Sequence, residues 1–99
     1  MPSGWVGILS AELHFPEAHS LKEKRTYVRS AKEHLRNRFA AAVAEVDHHD
    51  VWQRTRLTVA VVTREAGEAE RLLADAERYL ASREWELGAV DRELVTIDD

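Results

Sequence analysis

Along this chain the hydrophobic residues alternate between a period of two and a period near 3.6, and that order restricts the fold more than any other feature. From Trp5 to Phe15 one alternate set (Trp5, Gly7, Leu9, Ala11, Leu13, Phe15) is apolar or small, while the other runs Val6, Ile8, Ser10, Glu12, His14. A period of two is that of a half-buried strand, with the first set facing the core. Pro16, which has no N–H to give a ladder, ends it. Ser20 followed by Glu23 is a capping-box pattern and predicts a helix start. Leu21, Val28, Ala31 and Leu35 then share one side of a helix, and Thr26, Ser30, Glu33 and Asn37 the other.

The period changes again further on. Phe39 to Val46 is small and apolar and reads as a strand, although its alanines also suit a helix extension. The polar run Asp47-His48-His49-Asp50 predicts a turn or hairpin loop. Arg56 to Thr63 alternates, with Leu57, Val59 and Val61 on one face and Thr58, Ala60 and Val62 on the other. A second helix is expected from Ala66 to Ala81, burying Ala69, Leu72, Leu73, Ala76 and Leu80, with Glu65 and Glu68 suiting its positive end. Trp85 to Ile97 completes the pattern as a strand with a break near Gly88.

Strand, helix, strand, strand, helix, strand in 99 residues predicts one α+β domain spanning 1–99, a ferredoxin-like split β-α-β sandwich. Two right-handed crossovers place both helices on one face of an antiparallel sheet. The other face is left open, with Val6, Ile8, Ala60 and Val62 beside Glu12, His14, Arg56 and Thr58. An apolar patch there predicts homodimerisation, through this face or through an edge strand.

Composition narrows the chemistry. The absence of cysteine excludes disulfides, thiolate zinc sites and cysteine nucleophiles, and fits a reducing compartment. The start, Met1-Pro2-Ser3-Gly4, has no basic segment leading into a long apolar run, and no stretch reaches the length of a membrane span. A cytoplasmic protein without a membrane partner is the expectation.

The net charge is −4, yet Ser20 to Arg38 holds seven Lys/Arg against two acids. Lys22, Arg25, Arg29, Lys32 and Arg36 recur at steps of three and four and form one stripe along the border of the first helix. Cations one turn apart can follow a phosphate backbone, with arginine supplying forked hydrogen bonds. Arg54 and Arg56 would extend the patch if the third strand begins nearby. The competing reading is a solvated helix border whose cations pair with Glu33 or with acids of the second helix. No aromatics interleave with the stripe, which disfavours stacking on single strands.

Other candidates carry structural explanations. Lys24 faces the apolar side, where it is expected to pair with Glu45 or Glu12 and tie the helix to the sheet. Ser20 and Glu23 serve as helix caps. Trp52, beside Gln53, is expected to anchor its loop against the sheet. His48 and His49, with Asp47 and Asp50, invite a metal reading, but adjacent histidines point apart, so no metal site is assigned. Glu12 and His14 share a strand face without a third catalytic partner, and the four glycines form no phosphate loop. No cofactor and no enzymatic activity are expected.

Three stretches taken together carry a resemblance: Glu12-Leu13-His14 with Pro16, Ser20-Leu21-Lys22-Glu23-Lys24-Arg25, and Ala44-Glu45-Val46-Asp47 with Asp50, Trp52 and Gln53. Over nearly its whole length the chain resembles the YlxP-like family, small bacterial proteins with a domain of unknown function. The resemblance implies a ferredoxin-like fold and carries over no catalytic residue. Family members are often encoded beside translation and ribosome-maturation factors, which implies by association a partner in structured RNA or a ribosomal particle. The chain departs from the family pattern at Ala40-Ala41-Ala42, where an asparagine and a serine commonly interrupt the second strand.

Overall fold

Alternation in the first segment builds one of the two inner strands of the sheet. A computed structural model describes residues 2–98, so Met1 and Asp99, included in the single-domain expectation, lie outside the described residues. The elements are β1 (Pro2–His14), α1 (Leu21–Phe39), β2 (Ala42–Asp47), β3 (Arg54–Thr63), α2 (Ala66–Ala81) and β4 (Glu86–Asp98). The four strands form one antiparallel sheet in the order β2-β3-β1-β4. With two helices on one face, this is the expected ferredoxin-like α+β fold.

The strand periods place the core as expected. Leu9, Ala11 and Leu13 of β1 and Leu57, Val59 and Val61 of β3 are buried beneath the helices. From α1 the core receives Val28, Ala31 and Leu35, and from α2 Ala69, Leu73, Ala76 and Leu80. Helix α1 packs over β2 and β3, whereas α2 covers β1, β3 and β4. Gly7 permits the close approach of α2: a Cβ there would lie 3.1 Å from Leu73 Cδ1 and 3.2 Å from Val61 Cγ2.

Both ends of α1 have local causes. The Glu23 N–H donates to Ser20 Oγ at 3.2 Å, satisfying one of the free first-turn donors. The Glu23 carboxylate accepts from the His19 N–H at 3.1 Å, one residue before the cap. At the other end Ala40 turns left-handed, with φ 51°, and stops the helix. The strand expected from Phe39 therefore starts at Ala42, because Phe39 closes the last helical turn. The break expected near Gly88 is a bulge: two steps along β1, from Ala11 to Leu13, answer three along β4, from Val90 to Leu87.

Trp85, buried just before β4, fills the gap under both helices. It makes edge contacts with Phe15, Tyr27 and Tyr79 at centroid distances of 5.9, 6.4 and 6.2 Å. Its indole N–H donates to the Leu80 carbonyl at 2.8 Å.

Candidate anion-binding groove along the first helix

The stripe occupies the border of α1 nearer the edge strand β2. This follows from helical geometry: Lys24, Val28, Ala31 and Leu35 take the buried side, and Lys22, Arg25, Arg29, Lys32 and Arg36 fall one step around the cylinder. All but the half-buried Lys32 are exposed. Between this border and β2 runs an open groove of ≈ 260 Å³, lined by Arg25, Val28, Arg29, Lys32, Glu33, Arg36, Glu45 and His49.

Two rival explanations of the stripe can be checked against the geometry. Among the described residues Lys22, Arg25, Arg29 and Lys32 make no ion pair, neither with Glu33 nor with α2. The acids of α2 cannot reach, because α2 lies on the far side of α1 from β2. Asp75 pairs instead with Arg78 at 2.6 Å, and Glu77 with Arg92 at 2.7 Å. Arg36 alone is held, its guanidinium donating to the Val43 carbonyl of β2 at 3.2 Å.

Lys24 explains why an acid on the groove wall leaves the stripe positive. Its side chain is 1% exposed, and its ammonium lies 2.8 Å from Glu45 Oε2. Its other two donors meet the carbonyls of His48 at 2.6 Å and His49 at 3.1 Å. All three N–H groups are thus satisfied. Glu45 Oε2 also accepts from Thr55 Oγ1. One buried lysine therefore neutralises Glu45, ties α1 to β2 and fixes the β2–β3 turn, in which His48 has φ 61°. Of the two acids proposed for it, Lys24 takes Glu45 and not Glu12.

Several expected site features are redistributed. Arg54 and Arg56 do not extend the stripe, because their strand positions put them on the open sheet face. There Arg56 donates to Ser10 Oγ at 2.9 Å and to Asp91 at 2.8 Å, and Arg54 lies 3.4 Å from Glu12. Glu12 meets His48 Nε2 at 3.3 Å, not the neighbouring His14. The two loop histidines diverge, since His49 Nδ1 faces Asp50 at 3.3 Å. Trp52 does not anchor the loop: 45% of its surface is exposed. The loop is held by the Phe15 N–H, which donates to the Gln53 carbonyl at 2.8 Å, and by Lys24.

On the opposite border of α1 the surface is of another kind. His34 stacks on Tyr79 with ring centroids 3.7 Å apart. Burial, and then the charges of Arg83 and Arg38, lower the His34 pKa from its ordinary value. This border therefore adds no histidine cation near neutral pH. Spacing along α1 identified the stripe, but nothing in the linear pattern signalled Glu45 and His49 as the opposite wall, since β2 and the turn after it join the groove only through the fold.

Comparison with known proteins agrees with the motif resemblance. The family model described as a protein of unknown function (DUF503) matches residues 6–93. The chain is also 31% identical over 68 residues to the "Uncharacterized protein YlxP" of Bacillus subtilis (strain 168), an alignment covering 69% of this chain and 74% of the Bacillus protein. The matched span runs from within β1 to within β4 and takes in both helices, and the chain belongs to the DUF503 family.

Proposed function

We propose that this protein is a non-catalytic accessory factor that docks on structured RNA, free or within a ribosomal particle, through Lys22, Arg25, Arg29, Lys32 and Arg36. One observation supports the reading above others: among the described residues Lys22, Arg25, Arg29 and Lys32 make no ion pair, the last three of them line the groove beside Arg36, and of its two carboxylates, Glu33 and Glu45, the latter is neutralised by Lys24. Unpaired cations at one-turn spacing keep their charge available for phosphates, and bound phosphates release condensed counterions. The gene neighbourhood implied by the YlxP-like resemblance points the same way. The negative net charge restricts the contact to this ridge and disfavours indiscriminate coating of nucleic acid.

The test is the double charge reversal Arg25→Glu with Arg29→Glu. Both side chains are exposed and unpaired, so the fold should be unaffected. Affinity for purified ribosomal RNA at low salt is expected to fall roughly 100-fold or more. Unchanged RNA or ribosome association, with an unchanged circular dichroism spectrum, would refute the reading. A second reading, a homodimeric protein-interaction module for which RNA is irrelevant, draws on the open sheet face, where Val62 keeps 79% and Ile97 71% of their surface exposed.

A further inference from the structure

The sheet face away from the helices is divided lengthwise into two chemically different halves. One half carries Val6, Ile8, Ala60, Val62, Val95 and Ile97, with Glu93 opposite Ile8 at its edge on β4. The other carries a hydrogen-bonded set: Arg56 bridges Ser10 and Asp91, Thr58 meets Ser10 at 3.2 Å, and Glu12 meets His48 and Arg54. Isolated apolar residues on a surface need no explanation, but a contiguous apolar half-sheet does.

We propose that this face is a self-association surface, on which two copies pack sheet against sheet about a two-fold axis parallel to the strands. Three features select a second copy as the occupant. The first is the pattern: a rotation about that axis keeps each end of the strands at its own level. The apolar half then meets the apolar half, and the polar half meets the polar half.

The second feature is charge. With strand order β2-β3-β1-β4, the same rotation lays β3 of one copy over β1 of the other. Arg54 and Arg56 on β3 then lie across from the column holding Glu12, to which they are already opposite within one chain. A partner with a uniformly charged face would leave one of these columns unmatched. The third feature is size. Four strands at their usual spacing and about ten residues in length present roughly 600 Å² per copy, or about 1,200 Å² in total. That reaches the lower bound for a specific interface only if the whole face is used, apolar and polar halves together. A shallow depression of ≈ 180 Å³ bordered by Trp5, Val6, Val62, Val95 and Ile97 offers a seat for apolar side chains of the other copy.

The arrangement is independent of the RNA reading. The helices, and with them the basic ridge, lie on the opposite side of the sheet and stay uncovered. Sedimentation equilibrium of the full chain at concentrations on the order of 10 µM is expected to give twice the 11.3 kDa chain mass. Val62→Glu introduces a charge at a position open in the single chain, and is expected to weaken association about 100-fold or more while leaving the circular dichroism spectrum unchanged. Ile97→Glu should act in the same way and serves if Val62→Glu folds poorly. The Arg25→Glu/Arg29→Glu variant should remain a dimer, which separates this surface from the ridge. A wild-type chain that sediments as a monomer, or a folded Val62→Glu chain that remains a dimer, would overturn the proposal.

Discussion

Replacing Lys24 by methionine is expected to destabilise the protein by about 3–5 kcal/mol, measured by urea unfolding. The volume of the side chain is nearly kept, so the loss is not one of packing. It arises because the ammonium satisfies Glu45 and the carbonyls of His48 and His49 at once. Without it Glu45, itself only 12% exposed, retains Thr55 but loses its counter-charge. Breaking one side of a buried pair leaves an uncompensated charge, whereas removing both sides is often close to neutral. The double variant Lys24→Met/Glu45→Met should therefore regain most of the loss. A single variant within about 1 kcal/mol of wild type would show that water already reaches the pair. In a chain that still folds, Lys24→Met should also weaken RNA binding, because Glu45 would then place a free carboxylate against the ridge.

Truncating Trp85 to alanine is expected to cost a further large amount, about 3–5 kcal/mol. Trp85 is 4% exposed and joins Phe15, Tyr27 and Tyr79 into one aromatic cluster, with Phe15 and Tyr27 stacked at 5.6 Å. Its removal opens a cavity where α1, α2 and the start of β4 meet, and the Leu80 carbonyl loses its donor. Trp85→Phe keeps much of the ring and loses the N–H, and should cost only roughly 1–2 kcal/mol by the same urea measurement. Equal losses for the two variants would place the indole hydrogen bond, not the packing, in control. For a domain of this size either large loss is a substantial fraction of the whole stability.

The two substitutions also show which parts of the molecule can be read along the chain. The bounds of α2, and the buried sets of β1 and β3, follow from periodicity, because each element packs a single face on one core. Lys24 was legible too: a cation at a helix position otherwise apolar must find a partner, and Glu45 was one of the two within reach. The start of β2 was not, since Ala40-Ala41-Ala42 suits either state and the left-handed turn at Ala40 decides the matter. Trp52, between Val51 and Gln53, and Trp85, between Glu84 and Glu86, give no local sign of which is the more buried. Only the third dimension leaves the first exposed and places the second under two helices.

The ridge is legible in the same partial way. Spacing fixes the angle of each cation around α1, but not what stands opposite. An acidic helix beside Arg25 and Arg29 would have consumed the charges, and the sequence contains such a helix in α2. The sheet order decides otherwise, by setting α1 over β2 and β3 so that its basic border faces an edge strand. The assignment of the ridge to phosphate recognition thus depends on topology as much as on residue type.

The most direct measurement is equilibrium binding of the wild-type chain to purified ribosomal RNA between about 50 and 200 mM salt. Four unpaired cations on the ridge predict that the logarithm of the binding constant falls linearly with the logarithm of salt concentration, with a slope of about −3. The Arg25→Glu/Arg29→Glu chain should retain a slope no steeper than about −1. Absence of binding at the lowest salt, or binding whose slope is near zero and is shared by both chains, would contradict the account.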